Sequence, residues 1–235
     1  MYRLKTLGFS LVELAITLVI ISLIIAAITS GNYLLKAARI NKVISEISGY
    51  KSAIDNFKQK YQAMPGDMPN AVNFWPNSYN GNGNEKIEGV LTESLWAWQH
   101  LKNANMIAGN YNGIKVPPSD FAIDINVPKS TIDNTYYFIS YDNFYGHKGN
   151  NLQLVTTSNN LHPTGGAISA SDASIIDKKL DKEANSANGN FFVVRAEANK
   201  NIDNSCVSSN YEIATTTSYV NSDYTESCRL VLWLE

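Results

Sequence analysis

From Phe9 to Ile28 the chain is apolar or small apart from Ser10, Thr17, Ser22 and a single acid, Glu13. As a helix these twenty residues reach about 30 Å, the thickness of a bilayer core. Arg3 and Lys5 precede the run and no basic residue lies within it, so the amino terminus faces the cytoplasm. A carboxylate in hydrocarbon costs about 2.5–3.5 kcal/mol on insertion scales, so Glu13 reads as a functional residue that needs a cation. The segment holds none between Phe9 and Asn32. A freed amino group on Phe9 would supply one, which requires cutting residues 1–8 away at Gly8–Phe9. An ordinary secretory signal is the alternative, releasing a periplasmic or secreted binding protein or enzyme. Against it, the run is long for such a signal, and Ile28-Thr29-Ser30 is a poor cleavage site.

The remainder has the makings of one domain. Apolar residues make up 44 % and charged residues 17 %, a balance that excludes a charged disordered tail. With 19 Lys+Arg and a net charge of −2, no broad basic face for nucleic acid is indicated. No proline occurs before Pro65. Beyond the span, Leu35, Ala38, Val43, Ile47, Tyr50, Ile54, Phe57 and Tyr61 recur at intervals dominated by three and four, the buried stripe of an amphipathic helix. Lys36, Arg39, Lys42, Glu46, Lys51, Asp55 and Lys58 decorate the rest of its surface. Residues 9–61 therefore form one helix, about 80 Å long if unbroken. Gly31 and Gly49 are its weak points, at roughly 1 kcal/mol each. Met64-Pro65-Gly66-Asp67-Met68-Pro69 ends it, and a polar Asn- and Gly-rich loop fills 62–91.

A short helix is expected over Thr92–Ile107, with Thr92 as N-cap and Leu95, Trp98 and Leu101 facing inward. Strands are expected at Thr135–Tyr141, Leu152–Thr157, Phe191–Ala196 and Arg229–Leu234. A helix opened by the capping pattern Ser169-x-x-Asp172 lies between the second and third. The order argues an α+β fold, a small antiparallel sheet laid on the carboxyl half of the long helix.

Gly8-Phe9-Ser10-Leu11-Val12-Glu13-Leu14 resembles the leader junction of type IV pilins and type II secretion pseudopilins. The match is continuous over residues 8–14 and precedes a full apolar span. A looser, scattered likeness to one branch of prepilin-like proteins covers Met64–Asn70, Ala97-Trp98-Gln99-His100-Leu101 and Ile176-Asp177-x-Lys179. The resemblance implies a leader at 1–8, a transmembrane and polymerisation segment at 9–30, the amphipathic half of the helix at 31–61 and a pilin-like periplasmic domain at 62–235. It implies a cut by prepilin peptidase after Gly8 with N-methylation of Phe9, and a role for Glu13 in assembly. It implies other pilin-like subunits and the inner-membrane assembly platform as partners. The chain would be an inner-membrane, single-pass protein that later joins a pilus or pseudopilus. Many type IV pilins close a carboxyl-terminal loop with a disulfide. An extracytoplasmic pair, Cys206 and Cys228, without metal-ligand companions favours such a bond, two separately buried thiols being the alternative.

Other chemistry is sparse. Asn80, Asn82 and Asn84 stand at alternate positions of Asn80–Glu88, the layout of a calcium loop, and Glu88, Glu85 or Glu93 would add charge. The leading ligands are all neutral, Gly83 sits at the fourth position rather than the sixth, and Leu91 occupies the twelfth, so a plain Asn-Gly surface loop is the other reading. His100, His147 and His162 are isolated, and His100 reads as a packing residue. No spacing assembles an acid–base pair, an activated nucleophile or a phosphate loop, and no enzyme is expected. The aromatic run Tyr136, Tyr137, Phe138, Tyr141, Phe144 and Tyr145 reads as sheet core, a binding surface being the alternative.

Overall fold

With no proline to interrupt it, α1 runs Leu11–Tyr61, passing through Gly31 and Gly49. The computed structural model describes residues 10–117, 120–144, 147–158, 162–180, 191–195, 206 and 228–234. The chain divides into two compact units, Met1–Asn41 and Lys42–Glu235, and α1 contributes to both. In the first unit every large apolar side chain from Leu11 to Ile28 is exposed. An 18-residue window there has a mean hydropathy of 2.8 with none of it buried. Apolar surface of this extent marks a membrane or protein partner, and α1 is long and apolar enough to cross a bilayer.

In the second unit α1 buries Val43, Ile47, Ile54 and Phe57, with Tyr50 half-buried beside them. Each such aliphatic or aromatic burial stabilises by about 1.5–3 kcal/mol. Leu35 and Ala38, expected on the same stripe, are exposed.

After the Pro65 turn come α2 (Ala71–Phe74), one π-helical turn at Gly89–Glu93 and α3 (Ser94–Asn103). Thr92 does not cap α3. It lies inside the π-helical turn, and its hydroxyl donates to the carbonyls of Glu88 and Gly89 at 3.3 and 3.2 Å. The helix also stops earlier than Ile107. Asn105 adopts φ +56°, and Met106 N–H donates to Leu101 O at 3.0 Å, the closing bond of a left-handed C-terminal cap.

The sheet contains β1 (Tyr136–Phe144), β2 (His147–Ser158), β3 (His162–Gly165), β4 (Phe191–Arg195) and β5 (Cys228–Leu234). Its order is β1-β2-β5-β4, with β3 against β2, and every pairing is antiparallel. The α+β arrangement expected from the sequence is therefore present, with β3 as an unanticipated addition. Helix α4 (Ala170–Leu180) starts where the capping pattern placed it, Ser169 Oγ accepting from Asp172 N–H at 3.3 Å.

From Tyr136 to Ser140, β1 is buried on both faces. Tyr137 lies 4.9 Å, ring to ring, from Tyr50 of α1, whereas Tyr136 and Phe138 each meet Phe121 at 5.5 Å. The aromatic run from Tyr136 to Phe138 is thus core throughout, because the segment around Phe121 covers the face that helix α1 does not.

Glu46, which the sequence places on the solvated side of α1, instead ties the helix to the sheet. Its carboxylate accepts from Tyr137 OH at 2.9 Å, from Thr131 Oγ1 at 2.6 Å, and from Ser130 Oγ and Thr131 N–H at 3.3 Å each. Burial, then the neighbouring Glu46 charge, raises the Tyr137 phenol well above its ordinary pKa, so it stays a donor.

Hydrogen bonds to a charged acceptor contribute about 1.5–3 kcal/mol. Glu46→Ala should therefore destabilise the full chain by about 2–3 kcal/mol, and Tyr137→Phe by about 1.5 kcal/mol, in urea unfolding. The double variant should lose less than the sum of the two. Strict additivity would show that the phenol and carboxylate do not act as a pair.

Candidate functional site

The residues singled out by the sequence fall in three places. Gly8 and Phe9 lie outside the described residues. Glu13 sits in the first turn of α1, where its Oε2 accepts from Ser10 N–H at 2.9 Å. Ser10 Oγ accepts from Val12 N–H at 3.3 Å, and Ser10 O accepts from Leu14 N–H at 3.1 Å. These bonds form a capping box, with Ser10 as N-cap and Glu13 three residues on. The Ser-x-x-Glu spacing of residues 10–13 is its sequence signal.

Cys206 and Cys228 form a disulfide with Cα atoms 5.2 Å apart. Cys228 opens β5, pairs with Arg195 of β4, and exchanges backbone bonds with the lead-in to α4: Cys228 N–H donates to Ile168 O, and Ala167 N–H donates to Cys228 O, both at 2.9 Å. The bond therefore anchors the final strand at the point where three elements converge.

The third place is the Asn80–Glu88 loop. A calcium loop turns oxygens inward around a cation. This loop turns N–H groups inward around carboxylates. Gly83 and Asn84 N–H donate to Asp67 Oδ1 at 2.7 and 3.2 Å, and Glu85 N–H donates to Asp67 Oδ2 at 2.7 Å. Asn82 and Glu88 N–H donate to the two oxygens of Glu93 at 3.0 and 2.8 Å. Asp67 and Glu93 are both buried. Burial raises the Glu93 carboxyl above its usual pKa, while the Glu88 and Asn82 N–H groups oppose the rise.

The asparagine oxygens serve the backbone as well. Asn80 Oδ1 accepts from Val72 N–H, Asn82 Oδ1 from Asn84 N–H and Asn84 Oδ1 from Lys86 N–H, each at 3.0 Å, while Asn84 Nδ2 donates to Glu88 Oε2 at 2.9 Å. Among the described residues no group of three or more His, Cys, Asp or Glu side chains is placed to hold a metal. The loop is an anion nest filled by the chain's own carboxylates. Asp67 and Glu93 carry the arrangement. Their only sequence signal is proximity to turns.

Two glycines permit the close packing. Gly66 has φ +89°, and a Cβ there would lie 2.2 Å from Glu93 O; a Cβ on Gly81 would lie 2.3 Å from Asp67 Cα.

His100 locks the same region. Gly66 N–H donates to its Nδ1 at 2.9 Å, which fixes the proton on Nε2, and Nε2–H then donates to Tyr79 O at 2.8 Å. The ring is buried, and Phe57 stacks on it at 6.2 Å and 15°. A neutral imidazole joining two backbone segments organises structure; neither nitrogen is free for proton transfer. The packing role expected for His100 is therefore extended by two hydrogen bonds.

The chain matches no protein-family model, no curated protein and no solved structure.

Burial pushes His100 down from 6.5 to about 4. Between those values the unfolded chain binds a proton that the folded chain does not. The stability from the neutral ring is thus fully present above pH 6.5 and is lost as the pH falls toward 4. At about 1.4 kcal/mol per unit the loss reaches about 3 kcal/mol. The difference in unfolding free energy between wild type and His100→Asn should shrink by that amount over this window. A difference independent of pH would place the His100 titration elsewhere.

Proposed function

We propose that this chain is a prepilin-like structural subunit, cut and N-methylated at Gly8–Phe9 by prepilin peptidase. Residues 9–30 hold it in the inner membrane with the carboxyl-terminal domain in the periplasm. The apolar helix then packs with other pilin-like subunits, fed through the inner-membrane assembly platform, into a type IV pilus or type II secretion pseudopilus. It works by polymerising and performs no reaction of its own. The observation that carries this reading is the fully exposed apolar half of α1, broken by one carboxylate at its first turn. Such a surface demands a lipid or helical partner. The disulfide at the head of β5 supports the extracytoplasmic placement.

The capping box supplies a competing role for Glu13, because it already has a backbone donor. Charge separates the two roles. Glutamine preserves a capping box, whereas only a carboxylate compensates an ammonium. Mass spectrometry of the native protein should find residues 1–8 absent and Phe9 N-methylated, and Gly8→Leu should leave uncut precursor in the membrane. Normal maturation of Gly8→Leu, or a mature terminus near Gly31, would remove the prepilin assignment. Glu13→Gln and Glu13→Val should both insert and both incorporate poorly into filaments. If Glu13→Gln incorporates normally and Glu13→Val does not, the residue acts as a cap alone.

A further inference from the structure

A groove of about 430 Å³ opens between the segment around α2 and the residues that follow α3. Its wall is aromatic. Phe74 is 53 % exposed and lies 5.8 Å from Trp75, whose own ring rests on Tyr61 at 5.3 Å and Phe57 at 6.2 Å. Phe74 also meets Tyr61 edge-on at 5.4 Å. The exposed ring is therefore seated on α1 and its orientation is set before any ligand arrives.

The floor is an amide. Gln99 Nε2 donates to Asn77 O at 3.2 Å and to Asn112 O at 2.9 Å, clamping the two lips together. Around it the groove offers the side-chain amides of Asn77 and Asn110, which make no hydrogen bond among the described residues. No carboxylate lines it, and Lys102 is its one cation among the described residues.

A free amide donates and accepts side by side, which suits a hydroxyl but wastes half its capacity on a carboxylate or phosphate. An exposed, pre-oriented ring suits an apolar C–H face. A ligand that presents hydroxyls at its edges and C–H groups on its faces satisfies both. We infer that this groove binds a neutral oligosaccharide, with Phe74 as the stacking platform and Asn77 and Asn110 as hydroxyl partners. The volume lies within the range of small-ligand clefts, while the open shape implies weak binding. No acid stands in the groove to cleave a glycosidic bond, so the site would hold a sugar chain rather than process it. This inference does not depend on filament assembly.

The test uses the full chain in a zwitterionic detergent without a sugar headgroup. Tryptophan fluorescence is titrated with neutral tetrasaccharides of glucose, N-acetylglucosamine, mannose and galactose. At least one should bind with a Kd of about 1 mM or tighter. Phe74→Ala and Asn110→Ala should each weaken it about tenfold. Both positions are exposed, and an unchanged thermal unfolding curve checks that both variants fold. Lys102→Gln and added salt should change the Kd less than about twofold. The inference falls if no tetrasaccharide binds at about 10 mM, a concentration that would load a millimolar site. It also falls if Phe74→Ala and Asn110→Ala bind as wild type does, or if Lys102→Gln or salt abolishes binding. Concentration-dependent self-association removed by Phe74→Ala would overturn it in favour of a second copy of the chain.

Discussion

Side-chain-to-backbone hydrogen bonding takes the place of secondary structure through much of this domain. Among the described residues between Tyr61 and Tyr136, only α2, one π-helical turn and α3 are regular helical elements, yet residues 64–68, Ile87, Asn126 and Val127 are buried outside them. Every buried N–H and C=O must still find a partner. Asp67 and Glu93 collect N–H groups from residues 82–88, and Gln99 spans two carbonyls. Asn126, fully buried, accepts from Ala122 N–H at 2.8 Å and donates to Ile114 O and Asp120 O at 2.9 Å each. The sheet depends on this scaffold in turn. Asn150 of β2 accepts from Ile87 N–H at 2.8 Å and donates to Glu85 O at 2.7 Å, and Tyr141 N–H of β1 donates to Ile87 O at 2.7 Å. Removing one such side chain would expose several backbone groups to the cost of burial without a partner, about 1–3 kcal/mol each.

That economy explains what the sequence revealed and what it hid. Periodicity exposed α1, because Val43, Ile47, Ile54 and Phe57 repeat at helical spacing and no proline intervenes. Runs of aromatic and β-branched residues exposed β1, β2, β4 and β5, and Ser169-x-x-Asp172 exposed the start of α4. These signals are local. The partners of Asp67, Glu46 and His100 lie far along the chain; Glu46 and Tyr137 are separated by 91 positions. No periodic pattern encodes such pairings. Asparagine occupies 28 positions, and abundance alone assigns it no role. In the structure Asn80, Asn82, Asn84, Asn112, Asn126 and Asn150 each bond backbone groups. The resemblance to a calcium loop has the same origin. Alternate oxygens that can surround a cation can equally close a turn onto the following N–H.

Glu13 and the pair Asp67–Glu93 face one physical problem in two settings. A carboxylate removed from water must recover its lost hydration through donors or a counter-charge. In the domain, backbone N–H groups converge on Asp67 and Glu93, and partial positive charge from several dipoles stands in for a cation. At the head of α1, among the described residues, Ser10 N–H alone donates to Glu13, aided by the positive end of the helix. One N–H and a helix terminus stabilise an exposed carboxylate adequately in water. In hydrocarbon the same two interactions leave a net charge uncompensated, and the deficit grows as neighbouring apolar helices exclude solvent. A nearby ammonium would remove it, and the cut proposed above would supply one at Phe9. Glu13 already holds the N–H of Ser10, the residue that follows Phe9 in the chain, so the proposed cut would create the ammonium one residue from the carboxylate's present donor.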